Sequence, residues 1–456
     1  MAVCFGRSFA RVRHCPEQRR EEALAFVIPF CGLRYSPAID LAQVVAPPYD
    51  VISPDRQAAL YDTDPHNVIR LILNRDSDPY SSAAETLNRW MELAILRHDS
   101  ESSFYVLQQR FEETPGNVVV RTGFIGLCRL EEYSKKIVLP HERTLPKPRA
   151  DRLRLFEATQ ANFCQVFGIY RDADCRVEKI LDECTRQDPD RSVVFDGIVN
   201  SIWRIANPAL MKSIQDAMAD REILIADGHH RYETALAYRE GKRERNPHHT
   251  GEEPYNYVMM FFANRSSDGL VVHPTHRVVH SIAGFDPPVF LKQLTAYFNM
   301  NRCETLDQLR KEMQDAKGKG IGMKLHGAQG FVLLLPGDGA AIETALGAEL
   351  PDQIRDLDIS ILHGVILERI LGITKEAQAE RTNIDFVHDA QDAIAMVERG
   401  EAQLTFLLNS PDIERIFAIA QSGRTMPQKS TYFYPKLLSG LVMYRMVSDL
   451  NSASRQ

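Results

Sequence analysis

The sequence predicts a mixed α+β fold, and three stretches carry that expectation. Residues 103–111 and 118–127 alternate in apolar character on either side of a Thr-Pro-Gly-Asn turn at 114–117, the pattern of a β-hairpin. Residues 81–97 instead repeat Ala84, Leu87, Trp90, Leu93, Ala94 and Leu96 at the spacing of an amphipathic helix. Residues 223–226 form a short apolar run suited to a buried strand, and Tyr232, Ala235, Leu236 and Tyr238 then recur with helical period, so this stretch passes from strand to helix at Asp227 and Gly228. The antiparallel pair argues against a purely doubly wound sheet.

With 456 residues the chain is long enough for about two or three domains. Hydrophobic content of 44% and charged content of 25% are ordinary for a globular protein. The net charge of −7, from 61 acidic and 54 basic side chains, disfavours a general nucleic-acid binder, whose affinity rests on a basic face. No apolar run reaches the length that spans a bilayer, so no membrane partner is expected. Eight cysteines without a C-x-x-C pair indicate neither a zinc ribbon nor a disulfide framework, and a reducing cytoplasm is the expected setting. Residues 1–24 read as a flexible basic extension, with Arg7, Arg11, Arg13, Arg19 and Arg20 ahead of the first folded sequence. A targeting segment and an upstream start are equally open for it. An α+β domain is expected over 25–284, and an α/β region over 285–456 that contributes to the same cleft.

In order, residues 25–30 read as an apolar strand, followed by a second apolar run at 41–45. Pro47 and Pro48 force an extended turn that puts Tyr49 and Asp50 on a stiff loop, and Ser53-Pro54-Asp55 opens the helix that carries Leu60. Residues 138–162 concentrate His141, Glu142, Arg143, Thr144, Lys147, Arg149, Asp151, Arg152, Thr159 and Asn162. Pro140, Pro146 and Pro148 lead us to expect that these side chains do not share one regular element. Strands are expected in 161–170 and 191–205, a helix over 207–221, an exposed polar loop over 241–254 and a buried strand over 257–263. Farther on come a glycine-rich stretch at 317–330, a strand at 331–335, and a helix at 358–371 containing His363. A strand at 404–408, a helix at 413–421 and a loop at 423–431 follow. That loop is not a P-loop, because Gln428 and a preceding helix stand where that motif has glycine and a strand.

The residues Asp227, Gly228, His229, His230 and Arg231 form the sharpest local pattern. Gly228 tolerates backbone angles closed to other residues, and a helix starting near His229 leaves its first N–H groups unpaired beside the positive end of its dipole. Phosphate fits there, with two imidazoles and the Arg231 fork in support. The plainer alternative makes Asp227 a helix cap and the others solvated first-turn residues. A zinc site on His229 and His230 is disfavoured, since adjacent helical residues point about 100° apart. His276 and Arg277 admit an anion-binding or a structural role, while Lys429, Ser430 and Thr431 reach a phosphate from a second direction.

Asp-Gly-His-His-Arg resembles the phosphate-binding motif of the ParB/sulfiredoxin superfamily, in particular its free serine kinase branch. Residues 46–53 (Ala-Pro-Pro-Tyr-Asp-Val-Ile-Ser), 141–144 (His-Glu-Arg-Thr), 158–162 (Ala-Thr-Gln-Ala-Asn), 227–236, and 427–436 (Pro-Gln-Lys-Ser-Thr-Tyr-Phe-Tyr-Pro-Lys) together resemble the domain of unknown function 1015 family, over roughly residues 25–445. The resemblance implies a ParB/sulfiredoxin-like core and a nucleotide-dependent phosphotransferase that acts on a small hydroxyl compound such as free serine. ATP or ADP and magnesium are its implied cofactors. Asp50 or Glu142 then serves as base beside His230, with Asp227 and Glu142 as magnesium ligands. Phosphate contacts fall to Asp227, Gly228, His229, His230, Arg231, His141, Thr144, Lys147, Arg152, Asn162, His276, Arg277, Lys429, Ser430 and Thr431. Two alternatives remain: a phosphate-ester hydrolase and a ParB-like nucleotide-binding regulator without catalysis. Sulfiredoxin chemistry is set aside, because His229 stands where that motif carries its reactive cysteine.

Overall fold

The hairpin is the centre of the fold. In the computed structural model, which describes residues 25–142, 146–337, 339–347, 350–427 and 429–446, Phe104–Thr114 and Asn117–Arg129 pair antiparallel from Tyr105 opposite Ile125 to Thr114 opposite Asn117. The basic stretch 1–24 lies outside the described residues.

A nine-stranded sheet grows from that hairpin. Its path runs Val138–Leu139, Ile223–Asp227, Val166–Tyr170, Tyr257–Asn264, Asn117–Arg129, Phe104–Thr114, Ile198–Ile205 and Arg191–Phe195, with Val27–Ile28 pairing beside it on Asn117–Arg129. Every residue of Tyr257–Asn264 is buried, which explains its unbroken apolar run: it has a neighbour on each side and is covered on both faces. Ile223–Asp227 pairs parallel with Val138–Leu139 and antiparallel with Val166–Tyr170, so Asp227 emerges at the end of a strand held from both sides. The expected α+β class, with antiparallel pairs, is the observed one.

Three local expectations are corrected. Pro146–Thr159 is a single helix, so Arg149, Asp151, Arg152 and Thr159 do share a regular element. Its prolines fall in the first turn, where the backbone N–H has no helical partner to lose. The helix His229–Arg245 continues into the stretch expected as loop. The glycine-rich segment contains the strand Ile321–Leu325, in which a Cβ on Gly322 would meet Leu309 at 2.8 Å, so the glycine there serves close packing.

A second, six-stranded sheet runs Phe298–Cys303, Phe331–Pro336, Ile321–Leu325, Leu404–Leu407, His276–Val279 and Ile384–Val387, antiparallel throughout. The chain then returns to the first sheet. Tyr432–Tyr434 pairs with Val271–His273, Ser439 exchanges backbone bonds with Ala46, Met443 with Leu33, and Tyr444–Arg445 pairs with Ala161–Asn162. This strap carries Lys436 and braces the turn that leads to Asp50. Arg121 fixes its middle: the buried guanidinium lies 4.8 Å from the Phe167 ring and donates to the carbonyls of Tyr434 (3.1 Å) and Pro435.

Candidate functional site

Gly228 makes the turn between strand and helix in a left-handed conformation (φ 89°, ψ 30°), and it supplies no side-chain cap to the helix it opens. Asp227 is not that cap. Its Oδ2 accepts from Arg231 Nη2 at 2.7 Å and its Oδ1 from Lys436 Nζ at 3.1 Å. Burial alone would raise the Asp227 carboxyl, but Lys436 and Arg231, with Lys429 beyond them, hold it far below the ordinary carboxylate range.

This geometry corrects two expectations. Arg231 is turned inward and donates to Asp227, to Cys164 Sγ at 3.0 Å and to the Gln165 carbonyl, so it is not the fork that grips a phosphate. Asp227 and Arg231 stand four residues apart across the strand-to-helix turn, and a buried carboxylate is a nearer partner than a solvent anion. His229 also faces the interior, where its Nε2 accepts from the His141 backbone N–H at 3.2 Å. His141 donates from Nδ1 to the Ile225 carbonyl (2.7 Å), and its Nε2 accepts from Thr431 Oγ1 (2.8 Å). Both imidazoles are struts between strand, helix and C-terminal loop.

Burial lowers the pKa of His141 and lowers that of His229 further, since each ring would have to carry charge without water. Both are neutral in the folded state, while the unfolded chain takes up their protons near pH 6.5. Their contribution to stability is therefore complete above about pH 6.5 and is lost as pH falls below it. The melting temperature is expected to drop between about pH 7 and about pH 5, and to drop less in His229→Asn. Equal profiles for wild type and variant would contradict a buried neutral His229.

A ring of polar groups lies outside these struts. Asp50 is exposed in the short turn Tyr49–Val51, and its charge raises the pKa of His230, Arg231 and Lys436, which places it beside all of them. Arg152 supports that turn from below: it stacks 4.4 Å from the Tyr49 ring centre and donates to the Ile72 carbonyl at 2.6 Å. Glu142 Oε1 accepts from the Ser430 N–H at 3.1 Å, and Met426 donates its N–H to the His141 carbonyl at 2.8 Å, so the loop after Gly423 is stitched to the Glu142 segment. Lys429 is half-buried in a left-handed conformation (φ 56°), a strained choice for a residue with a Cβ. His230, half-buried, has its pKa lowered by burial and by Lys429 against the opposing pull of Asp50, Glu233 and Glu142. Lys436 lies 4.5 Å from the centre of the Tyr432 ring, which stacks on His388 at 3.6 Å.

The remaining expected residues have other work. His276 is buried and accepts from the Leu408 N–H at 3.2 Å, its pKa pushed down to about 4 by burial. Arg277 is buried and donates to His363 Nε2 at 3.1 Å and to the Lys429 carbonyl at 3.0 Å, which makes it a tie between the second sheet and the loop. Asn162 accepts from the Met259 N–H at 2.9 Å inside the first sheet. Ser430 donates its hydroxyl to the Pro427 carbonyl, and Thr431 is held by His141. Thr144 and the Lys147 side chain lie outside the described residues. Magnesium on Asp227 does not fit, because Arg231 and Lys436 occupy both carboxylate oxygens; among the described residues no three His, Cys, Asp or Glu side chains gather as metal ligands. Lys436 was missed as a site residue, although it ends the 427–436 segment; no local pattern pairs it with a carboxylate 209 positions away.

A family model described as a protein of unknown function (DUF1015) matches residues 27–360. Among solved structures, a conserved hypothetical protein from Pyrococcus furiosus is similar at 13% identity over 66% of this chain and 90% of its own, with a TM-score of 0.33. A free serine kinase in complex with AMP is similar at 12% identity over 66% and 87%, with a TM-score of 0.33. SbnI with a C-terminal truncation, from Staphylococcus aureus, is similar at 11% over 69% and 85%, with a TM-score of 0.32. Likenesses at these scores assign no activity to this chain. No curated protein matches. Among the described residues no helix is long and apolar enough to cross a membrane.

Proposed function

Given that this chain belongs to the DUF1015 family, whose description assigns no activity, we propose from the site itself that it is a nucleotide-dependent phosphotransferase acting on the hydroxyl of a small molecule. One observation carries the reading. Around the helix N-terminus at Gly228, an N-cap that brings no side chain of its own, separate segments deliver an exposed carboxylate (Asp50), a second carboxylate (Glu142), an imidazole (His230) and a strained lysine (Lys429).

Phosphoryl transfer is mainly a matter of positioning and of charge stabilisation. The first-turn N–H groups and the helix dipole hold the phosphates of ATP or ADP, and Lys429 offsets the charge that develops on the transferred group. The acceptor oxygen forms its bond to phosphorus as the bond to the departing nucleotide breaks. The acceptor proton passes to Asp50, which is exposed and adjacent, whereas Glu142 already holds the Ser430 amide and so positions the Lys429 loop. Free serine, the acceptor the motif resemblance implies, is the first to try.

Calorimetry tests the binding half. Lys429→Ala is expected to weaken ADP binding about tenfold, roughly 1.4 kcal/mol, while Arg245→Ala at the exposed far end of the same helix leaves it unchanged. Equal affinities in both variants and wild type would remove Lys429 from the site.

A further inference from the structure

Away from this site, a recess of about 450 Å³ opens in the C-terminal part of the chain, among Leu346, Leu350, Ile354, Phe386 and Met426. That volume is in the range of small-molecule pockets. Its wall includes Ser360, which is 5% exposed and whose hydroxyl has no hydrogen-bond partner among the described residues. A buried hydroxyl left unpaired forfeits its hydration without recompense, so its persistence asks for a partner that arrives from elsewhere. His363, a neighbouring polar group, is already engaged, since Arg277 donates to its Nε2. Ser360 also stands just before Leu362–Ile370, a π-helical stretch, an irregularity that recurs at ligand sites.

We infer that this recess binds a small, neutral, largely apolar molecule carrying one hydroxyl, of the phenol class, with the hydroxyl on Ser360. Neutrality follows from the rim, where Lys375 and Glu368 stand 4.0 Å apart and cancel. A ring suits the walls, because Phe386 offers an aromatic partner and Met426 a polarisable sulfur. The occupant also touches the loop of the first site, since Met426 and Pro427 line the recess and Arg277 joins His363 to the Lys429 carbonyl. Occupancy therefore steadies that loop and tightens nucleotide binding, a consequence that rests on the phosphotransferase reading.

The test uses the full chain with 4-methylphenol as probe, followed by ligand-observed NMR and calorimetry. Saturable binding is expected, about fivefold to tenfold weaker in Ser360→Ala, and abolished in Ala345→Phe, which fills the recess. Toluene, which lacks the hydroxyl, should bind wild type as weakly as the phenol binds Ser360→Ala. No saturable binding to wild type, or equal affinity in both variants, would overturn the site. Comparable binding of toluene and the phenol to wild type would overturn the role of Ser360. ADP affinity is then measured with and without the phenol. An unchanged value overturns the coupling, whereas a protein that binds the phenol but no nucleotide overturns the phosphotransferase reading and leaves the recess intact.

Discussion

Asp50→Asn is expected to lower turnover by about 10²- to 10⁴-fold while nucleotide affinity stays within about twofold of wild type. The carboxamide keeps the shape of the side chain but cannot accept the acceptor's proton, so the loss falls on the transition state rather than on binding. Glu142→Gln is the paired variant. Its Oε1 can still accept from the Ser430 amide, so a smaller fall in turnover is expected, accompanied by weaker nucleotide binding if the Lys429 loop loosens. The measurement is phosphorus NMR of the protein with magnesium in the buffer, ATP or ADP, and a pool of amino acids and polyols. A new phosphate ester that vanishes in Asp50→Asn supports the assignment of the base. An ester lost in Glu142→Gln but not in Asp50→Asn reverses it. Free phosphate without any ester identifies a hydrolase, and tightly bound but unaltered nucleotide identifies a regulatory binder.

Lys436→Met is expected to destabilise the fold by about 3 kcal/mol, the lower end of what removal of one partner from a buried ion pair costs. Lys436 and Asp227 are only 14% and 16% exposed, so water does little to replace the lost ammonium, while Arg231 remains as a second partner and limits the damage. Denaturant titration of Lys436→Met, Asp227→Asn and the double variant measures the coupling between them. If Lys436→Met costs less than about 1 kcal/mol, the pair behaves as a surface salt bridge and Lys436 is free for another task. The pH dependence has a definite sign. A carboxyl held below its ordinary value stabilises fully above about pH 4, and that contribution is lost as pH falls further.

The elements legible in the sequence are those whose cause is local. The hairpin around Gly116, the helix Pro79–Glu92 and the strand-to-helix passage at Gly228 follow from periodicity and turn chemistry within a dozen or so residues, although the helix stops short of the expected 97, where Ala94 turns left-handed and Leu96–His98 is a strand. Pro146–Thr159 was illegible because a proline is weighed by its position in a helix, and this helix packs against the distant His229–Arg245. Ile321–Leu325 was hidden by glycines whose purpose is the close approach of Leu309 and Leu407 from distant sequence.

The candidate site divides along the same line. Residue types and turn chemistry within the chain are enough to place Gly228 as the break between strand and helix, and the family resemblance points to the segments of Asp50, Glu142 and Lys429 as its companions. Which way each side chain faces follows only from packing. Arg231 has the same donors whether it meets a phosphate or a carboxylate, and the choice depends on Cys164, Gln165 and Lys436, none of them near it in the chain. His229 and His230 are adjacent and chemically identical, yet the helix turns one ring into the interior against His141 and leaves the other among Asp50, Glu142 and Lys429. Residue type sets what a group is able to bond, but desolvation and the nearest partner set what it does bond, and both are properties of the packed chain.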